Sequence, residues 1–146
     1  MCLLFYINSI LRGETQFEST NNTSYIVFFD IDQFKAFNDN HGHLVGDEIL
    51  IQTAMRVEKV ISSNGTIIRY GGDEFVVILN IKDSETIETW INKMKNQVSR
   101  PIYLDGHTYN VTCSFGYSMF DLNYRKLEKA IRLSDLDMYQ KKQAIH

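Results

Sequence analysis

A chain of 146 residues, 44% hydrophobic and 23% charged, has the length and make-up of one soluble globular domain with a proper core. Its net charge of −3 excludes a general binder of nucleic-acid backbone, which needs a basic face, but leaves room for a small anionic substrate accompanied by a divalent cation. Cys2 and Cys113 are too few and too far apart for a metal cluster or a disulfide framework, and read as two free buried thiols in a reducing cytosol.

Residues 1–7 (MCLLFYI) are apolar but short, lack a basic lead, and are interrupted by Asn8, Ser9 and Arg12. They predict neither a signal peptide nor a membrane span, but a buried first helix or strand, or the stub of a longer upstream element. A polar patch covers 18–24. The run 25–29 (YIVFF) is apolar, aromatic and β-branched, as expected of a central buried strand. It ends in Asp30, Ile31 and Asp32. A helical segment follows, with Phe34, Phe37 and Asn38 on one side, then a loop over 40–43.

Residues 47–61 carry a helical stripe of Ile49, Leu50, Ala54, Val57, Val60 and Ile61, stopped by Asn64 and Gly65. Residues 66–70 and 75–81 then form the arms of a hairpin around Gly71, Gly72, Asp73 and Glu74. Asp83 is placed to cap a helix from about 85 to 98, with Ile87, Trp90, Ile91 and Met94 inward. Residues 102–104 and 109–111 predict a second hairpin, and 112–119 a further strand. A last amphipathic helix spans 126–143, with Leu127, Ala130, Ile131, Leu133, Leu136, Met138 and Tyr139 apolar. The order β-α-α-β-β-α-β-β-α with a central antiparallel hairpin predicts an α+β fold of the ferredoxin-like kind.

Two acidic features stand at strand ends: Asp30 with Asp32, and Asp73 with Glu74. Adjacent carboxylates repel unless a cation or donor neutralises them. If the two strands are neighbours, Asp30 and Asp73 converge on a hard divalent cation such as Mg²⁺, which takes one or two carboxylates plus substrate phosphates. Read singly, the same residues have plainer roles. Gly-Gly-Asp is also an ordinary solvated hairpin tip, and Asp30, or better Asp32, could cap the following helix. Lys35 could be a surface lysine, Asn38 a helix-end residue, and His43 a core or capping histidine. Together, Lys35 offers a point charge for phosphate, while the Asn and Asp side chains of the polar array Lys35, Asn38, Asp39, His41, His43 and Asp47 offer donors and acceptors that match a purine edge, guanine in particular.

Residues 30–47 (DIDQFKAFNDNHGHLVGD) and 69–75 (RYGGDEF) resemble the GGDEF family of diguanylate cyclases. The family pattern D-x-D-x-F-K-x-x-N-D-x-x-G-H-x-x-G-D is met at every fixed position. Residues 114–116 (SFG) and 134–142 (SDLDMYQKK) look like its later strand and final helix. The resemblance implies a palm-type fold, a mostly antiparallel sheet flanked by helices, with 1–24 as a divergent lead-in and 25–146 as the catalytic domain. It implies that Asp30, the Ile31 carbonyl and Asp73 hold two Mg²⁺ or Mn²⁺ ions, with Glu74 completing the acidic cluster. Amides near Gln33 and Phe34, with Lys35 and Lys142, would hold the triphosphate, Asn38 and Asp47 would read guanine, and Gly71 and Gly72 would let the nucleotide lie against the hairpin. The family reaction joins two GTP across a homodimer into cyclic di-GMP.

The match departs from the family at three places. The lead-in keeps only ILRG at 10–13. The product-inhibition motif R-x-x-D falls on Ser62 and Gly65. The phosphate-gripping Arg after the last lysine corresponds to His146. The expectation is therefore a cytoplasmic cyclase without that feedback, either an excised domain or a stand-alone enzyme, whose upstream sensor or regulatory partner lies outside this chain. A cyclase making another dinucleotide and a silent GTP-binding module are the alternatives. Neither a nucleic-acid polymer nor a membrane is an expected partner.

Overall fold

The computed structural model describes residues 22–120 and 124–145. The first strand, β1 (Asn22–Ile31), pairs antiparallel on one side with β3 (Glu74–Lys82) and on the other with β6 (Cys113–Phe120). β2 (Gly65–Arg69) closes the far edge against β3, giving the order β2-β3-β1-β6. Counting only the strands of this sheet in chain order, they lie second-third-first-fourth. That is the order of the ferredoxin-like split β-α-β arrangement, with every neighbouring pair antiparallel. A separate hairpin joins β4 (Ile102–Leu104) to β5 (His107–Tyr109).

Helices cover both faces, which is why 25–29 reads as an unbroken apolar run. Val27, Phe29 and Ile31 of β1 join Phe75, Val77, Leu79 and Ile81 of β3 in the core under α2 (His43–Ile61) and α3 (Ile87–Val98). Ile26, Phe28, Val76 and Ile78 point the other way and meet Leu127, Ala130, Ile131 and Met138 of α4 (Tyr124–Ile145). Gly116 lets this last helix lie directly on β6: a Cβ there would stand 2.1 Å from the Met138 nitrogen. The α+β sandwich expected from the pattern is present.

Several boundaries differ from the expectation, each for a local reason. The loop over 40–43 shrinks to a single residue. Gly42, at φ 87°, ends α1 (Phe34–His41) by donating to the Asn38 carbonyl at 2.7 Å, and α2 begins at His43, four residues before Asp47. His43 is therefore neither core nor cap; it is exposed at the helix start. α2 ends at Ile61, before Asn64 and Gly65, and a 3₁₀ turn over Ser62–Asn64 leads into β2. Gly65 belongs to the sheet, with room for no side chain: a Cβ would lie 2.2 Å from the Ile78 carbonyl oxygen.

Asp83 does not cap α3. Thr86 does, its hydroxyl accepting from the Thr89 amide at 3.3 Å, while Asp83 accepts from the Thr23 hydroxyl at 2.7 Å. The second small hairpin closes through 107–109, not 109–111, because Asp105 and Gly106 turn the chain at positive φ. In α4 only part of the apolar stripe is core: Leu133, Leu136 and Tyr139 are 45%, 50% and 57% exposed. Cys113 is a free buried thiol that burial pushes well above the ordinary range, while Cys2 lies outside the described residues, as does most of the 1–24 lead-in.

Candidate active site

Register decides where the acids meet. Asp30 sits directly opposite Glu74 on β3 and opposite Ser114 on β6, so one row across the sheet reads Glu74–Asp30–Ser114. By strand alternation that row lies on the α4 face, together with Phe28 and Ile26. Asp73, one residue earlier in the turn, is tied to the same place: its carbonyl accepts from the Ile31 amide at 3.4 Å. The two acidic features of the sequence are thus neighbours, as β1–β3 pairing requires.

The crowding shows in the charges. Burial holds the Asp30 carboxyl above the usual carboxylate range, Lys142 pulls it back through a hydrogen bond and its charge, and Asp73 and Asp32 push it further up. The Glu74 carboxyl is raised by burial first, then by Asp135 of α4, Asp73 and Asp30. Lys142, near the end of α4, is set against this cluster. Its Nζ lies 3.1 and 3.2 Å from the two Asp30 oxygens and 3.8 Å from Asp32 Oδ1.

Asp32 does not cap α1. Its carboxylate accepts from the Thr112 hydroxyl at 2.6 Å and the Ser114 hydroxyl at 2.5 Å, and its amide donates to the Thr112 carbonyl at 2.9 Å. The residue that starts α1 is Gln33, in a left-handed conformation uncommon for a non-glycine residue and without a side-chain cap. Its first-turn amides therefore remain available at the strand-to-helix turn, the kind of terminus that favours anions. Phe34 is half-buried beside them, and Lys35 is exposed on α1.

The Asn38 carboxamide occupies the notch where α1 crosses α2. A Cβ on Gly46 would stand 1.8 Å from Asn38 Oδ1 and 3.3 Å from the Phe34 ring, so only glycine leaves that amide its place. Asn38 Oδ1 is buried and has no hydrogen-bond partner among the described residues, and Asp47, the residue after Gly46 on α2, is exposed. A buried orphan acceptor is a costly feature unless a ligand satisfies it.

At the hairpin tip Arg69 braces the turn from within. Its Nε donates to the Gly71 and Gly72 carbonyls at 3.2 and 3.1 Å, and its Nη2 to Gly72 at 2.7 Å. The Tyr70 and Gly71 amides both donate to the Glu74 carbonyl. The two glycines differ: a Cβ on Gly71 would crowd Glu74 Oε2 at 2.8 Å, whereas one on Gly72 would meet nothing within 4 Å. Gly71 thus makes room for the Glu74 carboxylate, and Gly72 leaves an open approach.

A cavity of about 550 Å³ opens on the α1 side of this cluster, lined by Asp32, Gln33, Phe37, Asn40, His41 and Lys142 among others. Asn38, Asp47 and the hairpin do not line it. It is the Lys142 end of the site and not the whole of a nucleotide pocket. The roles of Thr112, Ser114, Arg69 and Gly46 lay beyond sequence reasoning. All four stand inside or beside the quoted motifs, but nothing in their spacing says what they touch.

Residues 5–146 match the family described as "Diguanylate cyclase, GGDEF domain". The chain belongs to that family. It is 37% identical over 138 residues to Diguanylate cyclase DgcN of Escherichia coli, covering 93% of this chain and 33% of that protein. It is 32% identical over 141 residues to Diguanylate cyclase A of Treponema denticola, covering 96% of this chain and 36% of that one. Among solved structures, the GGDEF domain of PA1120 (YfiN or TpbB) from Pseudomonas aeruginosa superposes with a TM-score of 0.82 at 25% identity, covering 97% of this chain and 89% of the other. The GGDEF chain thus spans only about a third of the two curated relatives.

Proposed function

We propose that two copies of this domain face each other, each holding one GTP, and join them into cyclic di-GMP. Each 3′-hydroxyl attacks the α-phosphate of the other nucleotide, and each attack releases one pyrophosphate. The observation that carries this reading is the register that sets the Asp73–Glu74 tip against Asp30, in a chain whose family signature is intact.

The donor set suits hard divalent cations. Asp30, Asp73 and the Ile31 carbonyl offer oxygens, and the burial, with the lesser mutual repulsion, that raises the Asp30 and Glu74 carboxyls is what a cation offsets. Among the described residues, no three His, Cys, Asp or Glu side chains form a closed metal cage. An Mg²⁺ or Mn²⁺ ion here would therefore be held by one or two carboxylates and completed by substrate phosphates. When bound, such ions lower the pKa of the attacking hydroxyl and neutralise charge on the leaving pyrophosphate. The protein's own residues do the placing. The open first turn of α1 and Lys35 receive the β- and γ-phosphates, while Asn38 and Asp47 take the guanine edge. Glu74, held against Gly71, faces the attacking hydroxyl. A single copy binds GTP without turning it over.

No helix among the described residues is long and apolar enough to cross a membrane. We place the domain in the cytoplasm, where GTP is available. The test is incubation with Mg²⁺ and each nucleoside triphosphate, singly and mixed, with products identified by mass spectrometry. Cyclic di-GMP from GTP alone, abolished by Asp73→Ala, is expected. A product that needs ATP would overturn the guanine-only reading. GTP binding without any product at high protein concentration would reduce the domain to a binding module.

A further inference from the structure

The contact least explained by that reading is the one Lys142 makes. A lysine that only gripped phosphate would wait in solvent near the α1 terminus, yet here its ammonium spans both oxygens of Asp30, at 3.1 and 3.2 Å. Those are the oxygens a divalent ion needs. The next anion along is Asp32, whose Oδ1 lies 3.8 Å from the same Nζ.

We propose that Lys142 and the divalent ion compete for the Asp30 carboxylate, and that Asp32 is the positioning residue that receives the ammonium when the ion takes Asp30. The inference rests on the reading of the metal site given above.

Three features support a transfer over a short distance. Lys142 has a flexible four-carbon stem, and its side chain remains 30% exposed, so the head can shift without moving α4. Asp32 cannot follow the lysine. The Ser114 hydroxyl on β6, the Thr112 hydroxyl just before that strand and its own amide hold it, fixing the acceptor relative to the sheet. Finally, Asp32 immediately precedes Gln33, so an ammonium resting on it stands at the start of α1, beside the amides placed to receive phosphate. Asp32 and Lys142 also share the wall of the cavity that opens there. Metal binding thereby moves a positive charge from the metal position to the polyphosphate position, and the lysine serves both states of the site.

Competition gives opposite signs for two measurements that need no turnover. Mn²⁺ alone is titrated into the full chain by electron paramagnetic resonance. Binding of 3′-deoxy-GTP, which lacks the attacking hydroxyl, is measured with Mn²⁺ present by calorimetry. Lys142→Met removes the ammonium that competes for Asp30 and should bind Mn²⁺ at least about fivefold more tightly. The same variant should bind 3′-deoxy-GTP about tenfold more weakly, because its ammonium is missing from the phosphates.

Asp32→Asn should weaken 3′-deoxy-GTP in the wild-type background and have no further effect in Lys142→Met, because Asp32 acts through the lysine. Ser114→Ala, which loosens Asp32 without removing its charge, should give a smaller loss with the same dependence on Lys142, and serves if Asp32→Asn does not fold. Equal or weaker Mn²⁺ binding by Lys142→Met would overturn the competition. Equal losses from Asp32→Asn in both backgrounds would overturn the role of Asp32. If neither wild type nor Lys142→Met takes up Mn²⁺, alone or with 3′-deoxy-GTP present, the metal reading itself fails and this inference falls with it.

Discussion

Two rows of side chains cross the sheet one residue apart and do opposite work. Phe75, Phe29 and Phe115 stack face to face with centroids 5.1 and 4.8 Å apart, sealed under α2 and α3. One step along the strands, Glu74, Asp30 and Ser114 form the next row on the other face. The aromatic row has everything it needs from the protein. The acidic row does not: its carboxyls are raised by burial and by one another, with Lys142 as the bound counter-charge. A core row and a functional row can therefore be told apart by satisfaction. The first is complete within the chain, and the second carries an electrostatic strain, which in the proposed function a ligand would relieve.

The widest separation should come from Phe29→Ala, which opens a cavity in the sealed row and should cost about 3–5 kcal/mol of stability, read by urea unfolding. Asp30→Asn should do the reverse. It should leave the unfolding midpoint near wild type while reducing cyclic di-GMP formation by about 10²–10³-fold, the scale of a lost electrostatic contact at a reacting group. A large stability loss in Asp30→Asn would erase the distinction between the rows. Gly46→Ala tests the nucleobase notch: its Cβ would overlap Asn38 Oδ1, so GTP binding should weaken, with a repacking cost of about 1–3 kcal/mol. Calorimetry with 3′-deoxy-GTP and a melting curve separate those two effects.

Thr86→Ala removes only a helix cap far from both rows. It should cost about 1 kcal/mol in thermal unfolding with turnover unchanged.

The smallest effect is one of pH. Asp30 is raised in the folded state above its ordinary 3.8, so between the two values the folded chain holds the extra proton and its stability falls as pH rises. Below 3.8 both states are protonated and above the raised value both are ionised, so the difference then stays constant. Wild type should accordingly lose stability relative to Asp30→Asn as pH climbs through that window and level off beyond it. A gap between the two melting curves that does not change with pH would show that Asp30 carries no such strain.

The element order and the acidic pairs were legible because each rests on local signals. The run at 25–29 fits a strand covered on both faces, and the glycine pair between two apolar arms fits a hairpin. Asp83 misled because Asp and Thr both make good helix caps, and the choice of Thr86 depends on Asp83 being drawn to Thr23 across the sheet. The apolar stripe of α4 misled in a similar way. Periodicity reports which residues share a helix face, not how much of that face the sheet can cover, and Leu133, Leu136 and Tyr139 stay exposed.

What the sequence determined by itself was the inventory: the alternating strands and helices, and the motif that places the chain among the GGDEF domains. What only the tertiary structure decided was partnership. That Asp30 faces Glu74, that Asp32 is held by Thr112 and Ser114, and that Lys142 returns 112 residues later to Asp30 are contacts between distant parts of the chain, and that Gly46 makes room for Asn38 depends on how two consecutive helices cross. Local propensity acts over a few residues, whereas strand register and helix docking set which distant side chains come within a few ångströms. It is at that range that charges shift one another and a site acquires its chemistry.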